Sequence, residues 1–459
     1  MKMIEKAPVW REVITRETLP KILDAGINPQ FADLINKCNT EYLYWDKFKY
    51  VYNSDLLPPE SAWAFLKITR NTQIKKIALT DTQGRNFGYW LPDSLIKELH
   101  YLDQHASGEI LVEDPYVPSG ERNRFLISSL MEEAVASSQL EGAATTTKVA
   151  KEMLRSRRKP RNRSEQMIYN NYITIRQIKD SKDEPLSVGI LKSLQASLTK
   201  DTLDDKSTSG RFRNQDEPIV VRTQDGDILH DPPPASELPK RVELLCNYAN
   251  DNNKARFTHP VIKAIILHFW LAYDHPFVDG NGRTARALFH WYMLKSGYWL
   301  TEYISISKVI KRASSQYYRA FLYSEKDEQD STYFLHFNLK AIRIAINEFR
   351  KYLSRKTKEV KEAESYLVRY PGLNYRQSQL LYHALTHPDT VYTFESHLNT
   401  YGVTYQTART DLLGLVEKDL LVQLKKGKTY RFMPVDDLKK KLMPRARLAN
   451  VRLTTGHKK

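Results

Sequence analysis

The most apolar segment of the 459-residue chain, Val261 to Tyr273, constrains the fold more than any other. A helix that is apolar on all sides is buried, so this segment predicts a central core helix. A polar stretch from His275 to Arg286 follows it, and a second helix-like run, Thr284 to Leu294, comes next. This order predicts a polar loop that opens onto a helix N-terminus, where backbone N–H groups bind anions such as phosphate.

Most residue types in the polar stretch suit the chemistry of phosphate. Gly280 and Gly282 let backbone amides approach a ligand oxygen closely. Arg283 and Arg286 are three residues apart, so both lie on one face of the first helical turn and can reach a polyphosphate. Asp279 offers the hard oxygen ligand that Mg2+ prefers. The stretch therefore predicts a site for a nucleotide and its metal.

His275 adds a base to this set. It is the residue of the stretch whose pKa suits removal of a proton from a hydroxyl near neutral pH. The combination predicts phosphoryl or nucleotidyl transfer by positioning and charge stabilisation. Taken singly, each residue type is ordinary, because a histidine before proline is often structural and Asp-Gly-Asn-Gly often forms a plain turn. Their occurrence together favours the functional interpretation.

Composition narrows the class of protein further. A hydrophobic content of 41% is enough to form buried hydrophobic cores, and the length suggests about three domains. No N-terminal signal sequence and no uninterrupted apolar run of about 18 residues is present, so we expect a soluble, cytoplasmic protein with no membrane partner. Cys38 and Cys246 are far apart, which argues against a disulfide framework or a zinc site.

The formal net charge of +16 is concentrated in two segments. Residues 371–459 hold 15 Lys and Arg against 7 Asp and Glu, and residues 148–163 hold 8 basic residues against one acid. Such segments bind polyanions or form solvated basic faces. For 148–163 we expect a solvated face or loop, because Pro160 and Asn162 interrupt it; for the C-terminal segment the pattern below favours a polyanion.

Periodicity predicts a mainly α fold in three regions. Residues 1–110 form a mixed region with a hairpin near Gln73 to Trp90. Residues 111–365 form a helical domain that includes a helix at about 122–142 and a small β-hairpin. The hairpin strands are predicted at Ile219, Val220 and Val221 and at Ile228 and Leu229, around an Asp-Gly turn.

Residues 366–459 have the pattern of a winged helix-turn-helix. Three short helical runs precede two strands that a basic turn joins. The runs are Arg376–Leu385, Phe394–Asn399 and Tyr405–Leu415. Such domains bind DNA or serve as protein-interaction modules, and both partners stay open at this point.

The polar stretch resembles the signature of the Fic family, His-Pro-Phe-x-Asp/Glu-Gly-Asn-Gly/Lys-Arg-x-x-Arg, and every defined position is matched by residues 275–286. The resemblance extends over roughly 120–340 and includes Gly210 to Arg213 and His259-Pro260. It implies a Fic helical core and transfer of AMP from ATP to a Tyr, Thr or Ser hydroxyl of a target protein, with release of pyrophosphate.

The resemblance also implies residue roles. His275 would be the general base, Asp279 would hold Mg2+ on the α- and β-phosphates, and Phe277 would anchor the loop. Arg283 would hold the β-phosphate and Arg286 the γ-phosphate. The phosphates would also be bound by three further residues of the loop: Gly280, Asn281 and Gly282.

Three further elements resemble Fic features. Ser137 to Gly142 is similar to the inhibitory motif, in which Glu141 would pair with Arg286 and block the γ-phosphate position; an ordinary glycine-capped helix end is the alternative. The strand Ile219, Val220 and Val221 would form a flap that aligns the target backbone by strand addition. Tyr317 and Tyr318 would line the adenine pocket.

Other functions stay open. The same fold could use another phosphate-containing donor, or remove AMP through a water that Glu141 positions. A non-enzymatic alternative is a DNA-binding regulator that responds to nucleotide, although such a sensor would not need His275. The target, which could be the protein itself, and any oligomeric state are left undetermined by the sequence.

Overall fold

A computed structural model describes residues 4–107, 122–222, 226, 228–251, 257–367, 372–387, 389–426 and 429–442. Over these residues the fold is mainly α, as predicted, with three two-stranded antiparallel sheets. The chain divides into two compact units. The first contains residues 1–109, 130–147 and 160–347, and the second contains 110–129, 148–159 and 348–459.

The N-terminal part of the first unit is built on aromatic packing. Its core buries Phe31, Tyr44, Phe48 and Trp63. The hairpin predicted near Gln73 to Trp90 is confirmed. The elements are α1 (Trp10–Val13), α2 (Thr18–Ile27), α3 (Pro29–Thr40), α4 (Trp45–Val51), α5 (Pro59–Asn71), β1 (Lys75–Thr80), β2 (Asn86–Tyr89) and α6 (Asp93–Ala106).

The helical stretch that follows contains the predicted central helix. Nearly every residue of α12 is buried, because its side chains are apolar all round. The elements are α7 (Arg122–Leu140), α8 (Thr147–Arg155), α9 (Arg163–Asp180), α10 (Val188–Thr199), β3 (Val221–Arg222), β4 (Ile228–His230), α11 (Leu238–Asn250), α12 (Pro260–Asp274), α13 (Asn281–Lys295), α14 (Ile306–Arg312), α15 (Ser314–Lys326) and α16 (Thr332–Leu367).

Two local predictions were wrong. The helix after the polar loop begins at Asn281 rather than Thr284, because Gly280 takes a left-handed conformation (φ 85°) that ends the loop there. Part of the basic segment 148–163 is helix α8 rather than loop. Its Ala150, Met153 and Leu154 are buried at helical spacing, which supplies the apolar face that makes a helix stable.

The hairpin predicted at Ile219 to Leu229 is present but short. Val221 pairs with His230 and Arg222 with Ile228, so Ile219 and Val220 lie just before the first strand. The predicted Asp-Gly turn includes Asp225, which lies outside the described residues. Over the described residues of this hairpin, the strand edge available to a partner is therefore a few residues long.

The second unit contains the three predicted C-terminal helices and the strand pair. The elements are α17 (Tyr375–Thr386), α18 (Phe394–Tyr401), α19 (Tyr405–Glu417), β5 (Leu421–Lys426), β6 (Thr429–Pro434) and α20 (Leu438–Leu442). Tyr392, between α17 and α18, exchanges two backbone hydrogen bonds of 2.8 Å with Phe432 of β6. Gly402 ends α18 in a left-handed conformation, which makes the turn into α19 three residues long.

Candidate active site

The polar loop connects two buried helices, α12 and α13. His275 ends α12 in a left-handed conformation (φ 46°, ψ 56°), with its N–H still bonded to Leu271 O. Gly280 turns the chain into α13, and a Cβ there would lie 2.7 Å from Thr199 Cγ2. The loop is therefore pinned at both ends by backbone conformations that few residues tolerate.

The Asn281 side chain closes the loop from inside. Its Oδ1 accepts from Phe277 N at 2.9 Å, and its Nδ2 donates to Phe277 O at 2.7 Å. Phe277 is completely buried, as expected of an anchor, and its ring lies 5.7 Å from that of Phe212. Because the Asn281 side chain is engaged in this way, its backbone N–H at the helix N-terminus is the group left to meet a ligand.

Two residues from earlier in the chain hold the loop from outside. Arg213 donates from Nε to His275 O at 2.9 Å and from Nη2 to Pro233 O at 2.5 Å. Gln195, which is completely buried, donates to Asp279 O at 3.0 Å and accepts from Gly210 N at 2.7 Å. Together these contacts fix the backbone on either side of the polar residues.

His275 has the protonation state that a general base needs. Its Nδ1 faces Ala272 O at 3.1 Å, which places the proton on Nδ1 and leaves Nε2 as the basic nitrogen. Burial lowers the pKa of His275 to about 4, against the smaller opposing effect of the Ala272 hydrogen bond. The imidazole is therefore neutral at physiological pH.

Glu141 and Ser137, predicted as a regulatory pair, both contact Arg286. Arg286 Nη2 donates to Glu141 Oε1 at 2.9 Å and to Ser137 O at 2.9 Å, and Arg286 Nε donates to Ser137 Oγ at 2.9 Å. Burial acts to lower the pKa of Arg286, but Glu141, Tyr317 and Glu133 together outweigh it and the pKa is raised. Only 4% of the Arg286 side chain is exposed, and Glu141 is the carboxylate that pairs with it directly.

The same carboxylate lies against Gly282 at the start of α13. A Cβ on Gly282 would stand 2.2 Å from Glu141 Oε1 and 3.0 Å from Oε2. The absence of a side chain at Gly282 leaves room for a carboxylate beside the helix N-terminus, where the macrodipole and unpaired N–H groups favour negative charge. The Glu141 carboxylate lies beside the helix end for which the sequence predicted phosphate oxygens.

Arg283 and Asp279 form a second charged pair beside the loop. Arg283 Nη2 lies 3.3 Å from Asp279 Oδ1, and Arg283 Nη1 donates to Leu198 O at 2.9 Å. Arg283 is buried, its Nε has no partner among the described residues, and burial lowers its pKa despite the neighbouring Asp279 carboxylate. Asp279 is 40% exposed at the mouth of the site. An exposed carboxylate beside an anion-binding helix end fits a metal that also binds substrate phosphates.

The predicted tyrosine pair lies near these charges. Tyr317 is buried and shares a 2.8 Å hydrogen bond with His268 Nε2. Burial raises the pKa of Tyr317, with the nearby Arg286 charge opposing it, and the pKa of Tyr318 is raised by burial and by Glu141. Tyr318 is the more accessible of the two rings, so it is the better placed to contact a ligand.

Helix α7 is held in place by a buried ionic cluster. Glu133 lies 3.1 Å from His290 Nε2 of α13, and it accepts hydrogen bonds of 3.0 Å from Ser305 Oγ and Ser307 N. Burial would raise the pKa of Glu133, but His290 and the hydrogen bonds bring it to about 2. The helix that carries Ser137, and that Glu141 directly follows, is thereby tied to the helix that carries Arg286.

The structure thus gathers most of the predicted site residues around the N-terminus of α13. The charges of Arg283 and Arg286 and the imidazole of His275 all lie within electrostatic reach of Glu141. Sequence reasoning missed Gln195, Glu133 and His290. Each lies in an ordinary helical pattern, and only the tertiary contacts give it a role.

Residues 185–293 match the Fic/DOC family, so this part of the chain carries a Fic domain. The protein adenylyltransferase Fic of Drosophila melanogaster is 36% identical over 69 residues, and that of Drosophila grimshawi is 35% identical over the same length. Each match covers 15% of this chain and 14% of the relative. A Fic family protein from Desulfovibrio desulfuricans is 21% identical, with a TM-score of 0.47 over 75% of this chain and 95% of its own.

Two features are absent from the described residues. No group of three or more His, Cys, Asp or Glu side chains there could hold a metal ion by itself. No helix in that part of the chain has the length and apolar character needed to cross a membrane.

Proposed function

We propose that this protein transfers AMP from ATP to a hydroxyl group of a target protein and is inhibited by its own Glu141. The proposal rests on one observation above all, the Glu141 carboxylate lodged against Gly282 and paired with Arg286. That carboxylate stands in for phosphate oxygens, so a polyphosphate is the ligand that the helix end fits. The relatives named adenylyltransferase support transferase chemistry through the shared domain.

The reaction would need a base, an anion site and a strand edge. His275 Nε2 takes the proton of the target hydroxyl, and the hydroxyl oxygen attacks the α-phosphorus of ATP. A new phosphorus–oxygen bond forms, the bond between the α-phosphorus and its bridging oxygen breaks, and pyrophosphate leaves. The backbone N–H groups at Asn281 and Gly282 stabilise the negative charge. Strand β3 would align the target by backbone pairing.

Asp279 would hold Mg2+ together with the phosphates. The bound metal would neutralise charge on the leaving pyrophosphate. Arg283 would assist from the other side of Asp279, and Arg286 would hold the terminal phosphate once Glu141 withdraws. Tyr317 and Tyr318 would line the base pocket.

Inhibition follows from competition for one cation. While Arg286 is paired with Glu141, the terminal phosphate of ATP has neither that guanidinium nor the space beside Gly282. ATP could then bind only with its phosphates displaced from the geometry that in-line attack requires. Movement of α7, or loss of the Glu141 carboxylate, would open the site.

The test is a labelling experiment on the full chain. We expect Glu141→Gly to incorporate label from ATP labelled at the α-phosphate and none from ATP labelled at the γ-phosphate. The Glu141→Gly, His275→Ala double variant serves as the matched inactive control. Mass spectrometry of the adduct separates AMP from another phosphate-containing group, and loss of AMP from a premodified target would identify removal instead. Labelling that is unaffected by His275→Ala would overturn the mechanism.

A further inference from the structure

The structure gathers most of the first basic segment and the C-terminal basic segment into the same compact unit. Residues 148–159 and the C-terminal region are far apart in sequence, yet both belong to the second unit. They are also in direct contact, since Asn399 Nδ2 of α18 donates to Arg155 O at the end of α8. Helix α8 buries its apolar residues and leaves Lys148 exposed.

The last of the three C-terminal helices presents an exposed polar face. Tyr405, Gln406, Arg409 and Thr410 are all exposed at the N-terminal end of α19, at helical spacing. In a helix-turn-helix, the N-terminal residues of this helix contact base edges in the major groove. Arginine pairs with guanine and glutamine with adenine, so two of these side chains are of base-reading types.

Helix α19 is held rigidly enough for such a role. Asp411, on its buried face, accepts hydrogen bonds from Asn374 Nδ2 at 2.6 Å and Arg376 Nε at 2.6 Å, and lies 3.0 Å from His397 Nε2. One carboxylate therefore ties α19 to α18 and to the start of α17. Burial opposes ionisation of Asp411, but these hydrogen bonds hold its pKa well below the usual range.

The strand pair beside α19 adds positive charge. Lys425 and Arg431 are exposed on β5 and β6, and the pairing of Tyr392 with Phe432 adds a third strand position to the hairpin. A hairpin next to a reading helix commonly contacts the DNA backbone, and lysine and arginine supply the phosphate contacts. The same hairpin also exposes Val422 (44%) and Leu424 (48%), which a protein partner would prefer to cover.

We infer that this unit binds double-stranded DNA through α8, α19 and the β5–β6 hairpin, with Gln406 and Arg409 reading bases and the basic residues contacting phosphates. The excess of Lys and Arg over Asp and Glu in residues 148–163 and 371–459 favours DNA over a protein partner, because a concentrated positive charge attracts a polyanion. The inference does not depend on the proposed AMP transfer. Its assay contains no nucleoside triphosphate, and the protein used keeps His275 and Glu141.

The first measurement is binding of the full chain to a mixed-sequence DNA duplex at several salt concentrations. With about four phosphate contacts, affinity should fall on the order of a hundredfold between roughly 50 and 200 mM salt. Lys148→Gln, Lys425→Gln and Arg431→Gln should each reduce the slope of log affinity against log salt by about one. Lys97→Gln, an exposed lysine on α6, is the matched control and should leave the slope unchanged.

The second measurement is selection of preferred duplexes from a random pool. Gln406→Ala and Arg409→Ala should each relax preference at one base position by at least about fivefold while the salt slope changes by no more than one. Unchanged melting temperatures would show that these exposed substitutions leave the fold intact.

Absence of salt-dependent duplex binding would overturn the inference, as would equal losses in the Lys97→Gln control. If duplex binding is absent and Val422→Ser with Leu424→Ser abolishes self-association in light scattering, the surface is a protein interface instead.

Discussion

Glu141, Gly282 and Arg286 come from two distant parts of the chain and meet at one point. The carboxylate satisfies a buried guanidinium and fills the space that the missing Cβ of Gly282 provides. Each of the three residues is ordinary by itself. Their contact is what makes the helix N-terminus a site that the protein occupies with its own anion.

Gly282→Ala should cost stability only while Glu141 is present. The added methyl group would lie 2.2 Å from Glu141 Oε1, so we expect a loss of roughly 1–3 kcal/mol in the free energy of unfolding. In a Glu141→Gly background the clash disappears, and alanine in a helix is favoured over glycine by about 0.5–1 kcal/mol. A double-mutant cycle by denaturant unfolding measures this coupling; equal costs in both backgrounds would contradict the contact.

Glu141→Gly should lower the stability of the protein and raise its response to nucleotide. Removing the carboxylate leaves Arg286 with only Ser137 O and Oγ, at a cost of roughly 1–3 kcal/mol because Glu141 itself is partly exposed. Added ATP and Mg2+ should then raise the melting temperature of the variant more than that of the unaltered protein. Glu141→Gln keeps an acceptor oxygen, so the rise in its melting temperature with ATP and Mg2+ should lie between those of Glu141→Gly and the unaltered protein.

Activity should be insensitive to mild acid. On the proposed function, His275 acts as a base only when it is neutral, and burial lowers its pKa to about 4, so it stays neutral well below the usual histidine pKa near 6.5. In the Glu141→Gly background, the acid side of the pH–rate profile should therefore decline near pH 4 to 5. A decline centred near 6.5 would show that the imidazole is solvated during turnover.

The sequence was sufficient to place the polar residues at a helix N-terminus where the motif was local. His275 to Arg286 are adjacent in the chain, so residue type and spacing alone locate the helix N-terminus. Glu141 was found because of its spacing from Ser137. Gln195 could not be found in this way, because its two hydrogen bonds join backbone groups that only the tertiary fold brings together.

At the scale of elements, α7 and α13 are joined at two places, by Arg286 with Ser137 and Glu141 and by Glu133 with His290. The second junction lies inside the core and touches no proposed substrate. Altering it changes no side chain of the anion site, although the Glu133 charge also acts to raise the pKa of Arg286.

Glu133→Gln should loosen α7 and partly relieve inhibition. Removing the carboxylate that His290, Ser305 and Ser307 contact leaves buried polar groups unsatisfied, at a cost of roughly 1–3 kcal/mol. On the proposed function, the other contact between α7 and α13 is the one with which ATP would compete. Basal labelling from α-labelled ATP should rise, though less than in Glu141→Gly, while hydrogen exchange in α7 becomes faster. Unchanged exchange with unchanged labelling would mean that the cluster has no part in holding the inhibitory contact.

The boundaries of α13 and the presence of α8 show why hydrophobic periodicity predicted the helices only in part. The start of α13 was predicted late, because Asn281, Gly282 and Arg283 look like loop residues until the left-handed Gly280 fixes the turn. Helix α8 was not predicted because its sequence is mostly charged and its apolar face is narrow, with only Ala150, Met153 and Leu154 buried. In both cases a tertiary contact decided a local preference.

At the scale of the whole molecule, the chain has two compact units with separate packing, and the second has its own core around Leu381, Leu412 and Phe432. The mainly α class followed from periodicity over most of the chain. The division of the chain into these two units could not be predicted from periodicity, because the second unit contains segments that are far apart in sequence.

Calorimetry should therefore show more than one unfolding transition. Asp411→Ala removes the carboxylate that joins three helices of the second unit. We expect it to lower the midpoint temperature of one transition, by an amount equivalent to a loss of roughly 3–5 kcal/mol in the free energy of unfolding. Glu141→Gly should move a different transition. A single transition that shifts equally in both variants would mean that the units unfold as one.

The Glu141 contact can also be expressed as a concentration. A side chain tethered beside the site behaves as an intramolecular ligand with a fixed effective concentration, which the folded chain sets. On the proposed function, ATP must reach a concentration at which it displaces the Glu141 carboxylate from Arg286. Any partner that shifts α7 would then change the ATP level at which the enzyme switches on, with the residues that perform the chemistry left unaltered.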